Sequence, residues 1–248
     1  MKDKSIKEIL DKLKYIKKYR EDINLCKKYR EEYILVDTGK EIIENFNCNL
    51  LPNFNGYKDP FVNQELKFIA LITDLDMVNQ HIIESHNLWN EIRNEKYSLR
   101  LDIYNTYLWK RFLKLQEYII FDLKHFVDEV IATIAVIKNL TVKNKISVSS
   151  IGEYLNNNSF NELDEFKDLF RILNDLFNTY KHSYANNSTY MQGIYENCFV
   201  GIYSKYNDFN EDPQLYVVSM DELIKKFNDF YKKSFTIIDN LTKDAIKY

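Results

Sequence analysis

The sequence predicts a mainly α protein: a bundle of long antiparallel helices with a small β-hairpin before the C-terminal helix. Three observations predict it. Residues 61–151 contain neither glycine nor proline, the two residues that most readily end a helix. Apolar residues recur every three or four positions through most of the chain, the spacing that gathers side chains on one helical face. Only between Gly193 and Val218 does the pattern change, to β-branched and aromatic residues suited to strands.

Taken in order, Ile6, Ile9, Leu10, Leu13, Ile16 and Ile23 mark an amphipathic opening helix whose other face is filled by lysines. Residues 1–30 hold 11 Lys or Arg against 5 Asp or Glu, and a basic face of this kind is ordinarily solvated. Tyr33–Val36 fits either a short strand or continued helix, and Lys40–Phe46 fits a short helix. Pro52, Gly56 and Pro60 mark a loop over Leu51–Pro60. A single straight helix from Phe61 to Asn139 would reach about 115 Å at 1.5 Å per residue. The chain must therefore fold back, and polar Asn94–Ser98 is the place, giving helices over Val62–Arg93 and Leu99–Lys138. Trp89 and Trp109 then fall at the same end. Ser150-Ile151-Gly152-Glu153 is a capping-box pattern opening a short helix that ends in Asn156-Asn157-Asn158.

The best-defined helix spans Asn161–Asn186, with Asn161 as its cap. Phe166, Leu169, Phe170, Leu173, Leu176, Phe177 and Tyr180 make its apolar face, and Arg171, Asp175, Asn178 and His182 lie opposite. Gly193–Ser204 and Leu215–Val218 make the hairpin, joined by polar Tyr206–Pro213. Ser219-Met220-Asp221-Glu222 is a second capping box, after which Leu223, Phe227, Phe230, Tyr231, Ile238 and Leu241 stripe the final helix. Residues 1–60 thus form a basic helix with a connecting segment, and residues 61–248 the bundle with its hairpin at 193–218. A single domain over 1–248 fits the same pattern.

Net charge is −3, too little for bulk electrostatics to hold a polyanion. The 19 Tyr and 16 Phe accompany abundant Asn, Lys and Ile, which AT-rich codons produce together. Cys26, Cys48 and Cys198 lack metal-type spacing, and three free thiols suit a reducing cytoplasm. The first twenty residues carry charges throughout, unlike a signal peptide, and no run approaches the ~18 apolar residues of a membrane span. His81, Glu84, His86, Asp122 and His125 are metal-ligand types, but His81 and His86 are five apart, about 140° around a helix. Asp122 and His125 share a face. The expectation is no metal and no cofactor.

Asn178-Thr179-Tyr180-Lys181-His182 resembles the end of the motif helix of the HEPN superfamily, helical bundles of prokaryotic toxin-antitoxin and phage-defence systems, many of them metal-independent RNases. In that family an Arg, usually followed by a polar residue, precedes a His by four to six positions. Asn178 and His182 match the polar residue and the His, while the Arg position is Phe177. The resemblance implies that the Arg stabilises the transition-state phosphate and the His transfers protons. Arg171 shares the face of His182 but stands eleven residues upstream, about 16 Å along the axis.

The expected function is a non-catalytic helical interaction module, a degenerate HEPN-like protein of a bacterial defence or toxin-antitoxin system. A metal-independent RNase using His182, Asn178 and Arg171 is the runner-up, and a metal-dependent bundle enzyme comes third. The partners these readings admit are another protein, a second copy of the chain or RNA, with no membrane.

Overall fold

The computed structural model describes residues 29–38, 62–94, 107–142, 148–157, 160–182, 196–204, 210 and 212–245. The opening helix up to residue 28, the short helix at Lys40–Phe46, the loop at Leu51–Pro60 and the reversal beyond Asn94 lie outside these residues. Helices α1 (Val62–Asn94) and α2 (Tyr107–Val142) are followed by a short α3 (Ile151–Asn156), a single 3-10 turn (Asp164–Phe166) and α4 (Lys167–His182). Strands β1 (Cys198–Tyr203) and β2 (Gln214–Ser219) pair antiparallel, and α5 (Met220–Ala245) begins where β2 ends. The described residues are mostly helical, as their apolar spacing requires. None of the described helices is long and apolar enough to cross a membrane.

Contacts between α1 and α2 run in opposite numerical order: Glu84 meets Arg111, His81 meets Tyr118, and Lys67 meets Glu129. Behind this pair lies the main core, whose centre is aromatic. Phe230 of α5 touches Phe126 of α2, Phe166 of the 3-10 turn, and Phe170 of α4, at centroid distances of 6.4, 5.2 and 5.4 Å. All three contacts are edge-on, the arrangement that ring quadrupoles favour. A smaller core closes one end, where Trp89 and Trp109 both pack on Phe112. The two tryptophans do share an end of the helix pair.

Two expected details differ. The helix expected from Asn161 opens instead with the 3-10 turn, and regular α-helix begins at Lys167. Leu163 and Phe166 are both buried, and the Tyr154 hydroxyl donates to Asp164 at 2.7 Å. These anchors hold the first turn tight. At α3, Ser150 caps the Glu153 amide as expected, but the Glu153 carboxylate reaches back to the Ser149 amide at 2.7 Å. The Ile151 amide is taken by Asp128 of α2 at 2.8 Å, so one orphan donor of the helix start is met from another helix.

Ile34–Thr38 is neither strand nor helix. The Asn79 side chain accepts from the Val36 amide at 2.7 Å and donates to its carbonyl at 2.9 Å. Asn228 of α5 accepts from the Asp37 amide at 2.8 Å and donates to the Leu35 carbonyl at 2.9 Å. Two asparagines thus supply the pairings that a neighbouring strand would supply, and the segment forms a strap across α1 and α5.

The five α-helices hold 33, 36, 6, 16 and 26 residues, close to half the full chain. Circular dichroism is therefore expected to report at least about 45% helix with a small strand component, well above the ordinary third. A helix content near 30% would contradict the fold.

Candidate functional site

α4 packs Leu169, Phe170, Leu173 and Leu176 inward, so its remaining positions decide what it offers. Arg171 stands in solvent, its guanidinium 3.1 Å from Asp168 one turn earlier. Asp175 is half-buried and accepts from the Tyr216 hydroxyl of β2 at 2.5 Å. Burial and the Asp175 charge together push that tyrosine's pKa well up, which keeps its proton in the bond. Asn178 is half-buried and His182, the last residue of α4, is exposed. Asn178 and His182 therefore lie one turn apart, whereas Arg171 is held at the far end of the helix.

Phe177 directly precedes Asn178 on α4. Its ring lies 4.8 Å from that of Phe121 on α2, and two lysines approach it, Lys124 at 4.6 Å and Lys181 at 5.3 Å. Both are cation–π distances. The buried Lys124 is also bound to Asp128 at 2.5 Å, the same carboxylate that takes the Ile151 amide. Its charge is compensated within the fold. Lys181 is exposed beside His182.

On the other side of α4, Thr179 is fully buried against β1, and a Cβ built on Gly201 would fall 2.7 Å from the Thr179 Cγ2. The hairpin thus reaches α4 through a position where only hydrogen fits. Just before β1, buried Asn197 ties four elements together. Its amide donates to Ser85 of α1 at 3.1 Å, its side-chain oxygen accepts from Gln116 of α2 at 3.3 Å, and its carbonyl accepts from the Met220 amide of α5 at 3.0 Å. Gln116 also donates to the Cys198 carbonyl at 2.7 Å. Sequence spacing shows none of these contacts, since they join residues far apart in the chain.

The residues of metal-ligand type separate as their phasing requires. His81 is half-buried beside Tyr118, with burial lowering its pKa, and Glu84 is taken by Arg111. His86 stacks on Tyr33 at 4.5 Å and lies 3.6 Å from Asp221. Burial holds its pKa down too, against the opposing charges of Asp221 and Glu32. Asp122 does not meet a histidine of α1; it faces Asp74, and burial with that second carboxylate raises its pKa to about 6 against a lesser opposing effect of His125. Among the described residues no group of three or more His, Cys, Asp or Glu is placed to hold a metal ion.

No protein-family model, curated protein or solved structure matches the chain.

Proposed function

We propose that this protein is a non-catalytic helical interaction module, a bundle of long antiparallel helices in which a HEPN-like motif helix has lost its catalytic cation. The observation that carries the reading is Phe177. Its ring is packed on Phe121 and flanked by lysines, one of them neutralised by Asp128. Preorganised charge at the developing oxyanion is usually the largest catalytic contribution, and an aromatic ring cannot donate to a phosphate. Arg171, the nearest arginine on the stripe, is paired with Asp168 about 16 Å from His182. The setting this reading implies is a bacterial defence or toxin-antitoxin system, with a protein partner.

A second reading has one observation in its favour. Lys181 places an exposed cation next to His182, which would let Lys181, Asn178 and His182 act on RNA without a metal. The two readings part in a single assay. Purified protein incubated with single-stranded RNA in chelator is expected to leave it intact. Cleavage that disappears in His182→Ala and falls strongly in Lys181→Ala or Arg171→Ala, with helical circular dichroism unchanged, would establish the RNase and end the non-catalytic reading.

A further inference from the structure

The outer surface of the α1–α2 pair carries three large apolar side chains in solvent: Met77 is 52%, Tyr118 44% and Tyr107 73% exposed. On α2 the surface is a single stripe. Tyr107, Arg111, Lys114, Tyr118, Asp122 and Glu129 follow one another at intervals of three, four or seven residues, which keeps them within about 40° of one line. The stripe is polarised. Arg111 and Lys114 lie on the N-terminal side of Tyr118, and Asp122 and Glu129, the latter paired with Lys67, lie on its C-terminal side, with Asp74 of α1 beside Asp122.

The polarity has a centre. Lys114 and Asp122 each stand four residues from Tyr118, Arg111 and His125 seven, and Tyr107 and Glu129 eleven. Two such stripes laid against each other about a two-fold axis at Tyr118 would set Lys114 opposite Asp122, Arg111 opposite His125 and Tyr107 opposite Glu129. We propose that this face is a self-complementary dimer interface, with a second copy of the chain as its occupant, Tyr118 and Met77 at the axis, and Lys114 of each copy paired with Asp122 of the other.

Charge decides among occupants. The acidic half of the stripe would repel a phosphate backbone, whereas a two-fold contact uses both halves at once, the self-matching that an isologous interface demands. Burial and Asp74 push the Asp122 carboxyl up against a lesser opposing effect of His125, so an incoming lysine relieves the repulsion between the two carboxylates. The cations are engaged within the chain, Arg111 with Glu84 and Lys114 with Glu117, but exposed pairs of this kind contribute little and exchange readily. The stripe is about 33 Å long and the helix pair about 20 Å wide. That is about 650 Å² per partner, near the ~800 Å² of a standard interface. The interface uses side chains of α1 and α2 and the functional reading side chains of α4, so the two are tested by different substitutions and fail independently.

Sedimentation of the full chain at tens of micromolar should give a mass near twice 29.8 kDa, with a dissociation constant that rises with salt. Asp122→Lys and Lys114→Glu should each weaken the homodimer by about tenfold or more through like-charge contact. Mixed in equal amounts, the two variants should re-form a dimer, because each then offers the charge its partner needs. A protein damaged in folding would not be rescued by mixing. A monomeric wild type overturns the proposal, as do a dimer indifferent to salt and to both substitutions, a mixture that fails to recover, and association that vanishes on nuclease treatment.

Discussion

Replacing Phe230 with alanine should lower the unfolding free energy by about 3–5 kcal/mol, the cost of removing a buried phenyl ring and leaving its space partly unfilled. The side chain is completely buried, and its ring neighbours Phe126, Phe166, Phe170 and Phe227 come from α2, the 3-10 turn, α4 and α5 itself. No one neighbour can move in without leaving its own contacts. Against a total stability of about 5–15 kcal/mol, this is enough to move the urea midpoint far down at unchanged slope. Phe230→Leu, which keeps most of the volume, should cost less than half as much. A midpoint shift worth under about 1 kcal/mol for the alanine variant would mean that the aromatic centre is not packed as described.

Gly201→Ala is the second large effect, and its sign runs against propensity. A glycine inside a strand ordinarily weakens it by about 0.5–1 kcal/mol relative to alanine, so the substitution looks favourable on local grounds. Here the added methyl would lie 2.7 Å from the Thr179 Cγ2 and 3.6 Å from a Leu176 methyl. Thr179 is β-branched and stiff about its first torsion, so α4 and β1 must separate. Overpacking of this kind costs about 1–3 kcal/mol, which exceeds the propensity gain. Thr179→Ser removes the offending methyl. The double variant should therefore regain most of the loss, a departure from additivity that thermal unfolding would read directly. Equal losses in Gly201→Ala with and without Thr179→Ser would show that Thr179 is not the obstacle.

What the sequence made legible is the part fixed by local rules. The absence of breakers over 61–151 forecast α1 and α2, and the apolar spacing of Leu169, Phe170, Leu173 and Leu176 forecast the buried face of α4. The composition change after Gly193 forecast the hairpin, and the 140° between His81 and His86 forecast their separate surroundings. What stayed hidden depends on partners distant in the chain. Asn79, Asn197 and Asn228 look like ordinary polar helix or loop residues, yet each satisfies backbone or side-chain groups of another element. The 3-10 entry to α4 is set by Tyr154 pulling on Asp164, which no periodicity reports. At the candidate site, Asn178 and His182 were legible as neighbours because both sit on one helix. Lys124 beside Phe177 was not, since it arrives from α2.

The strap also orders events in time. Asn228 binds backbone groups 191 and 193 residues away along the chain, and closing so long a loop carries an entropic cost that short-range contacts do not meet. A chain emerging from the ribosome at about 5–20 residues per second makes Leu35 and Asp37 long before it makes their partner. Asn79 can engage Val36 early, but the second clamp waits for α5. The strap can be no more than half-fastened until α5 is made, and its final closure requires that the last helix has docked.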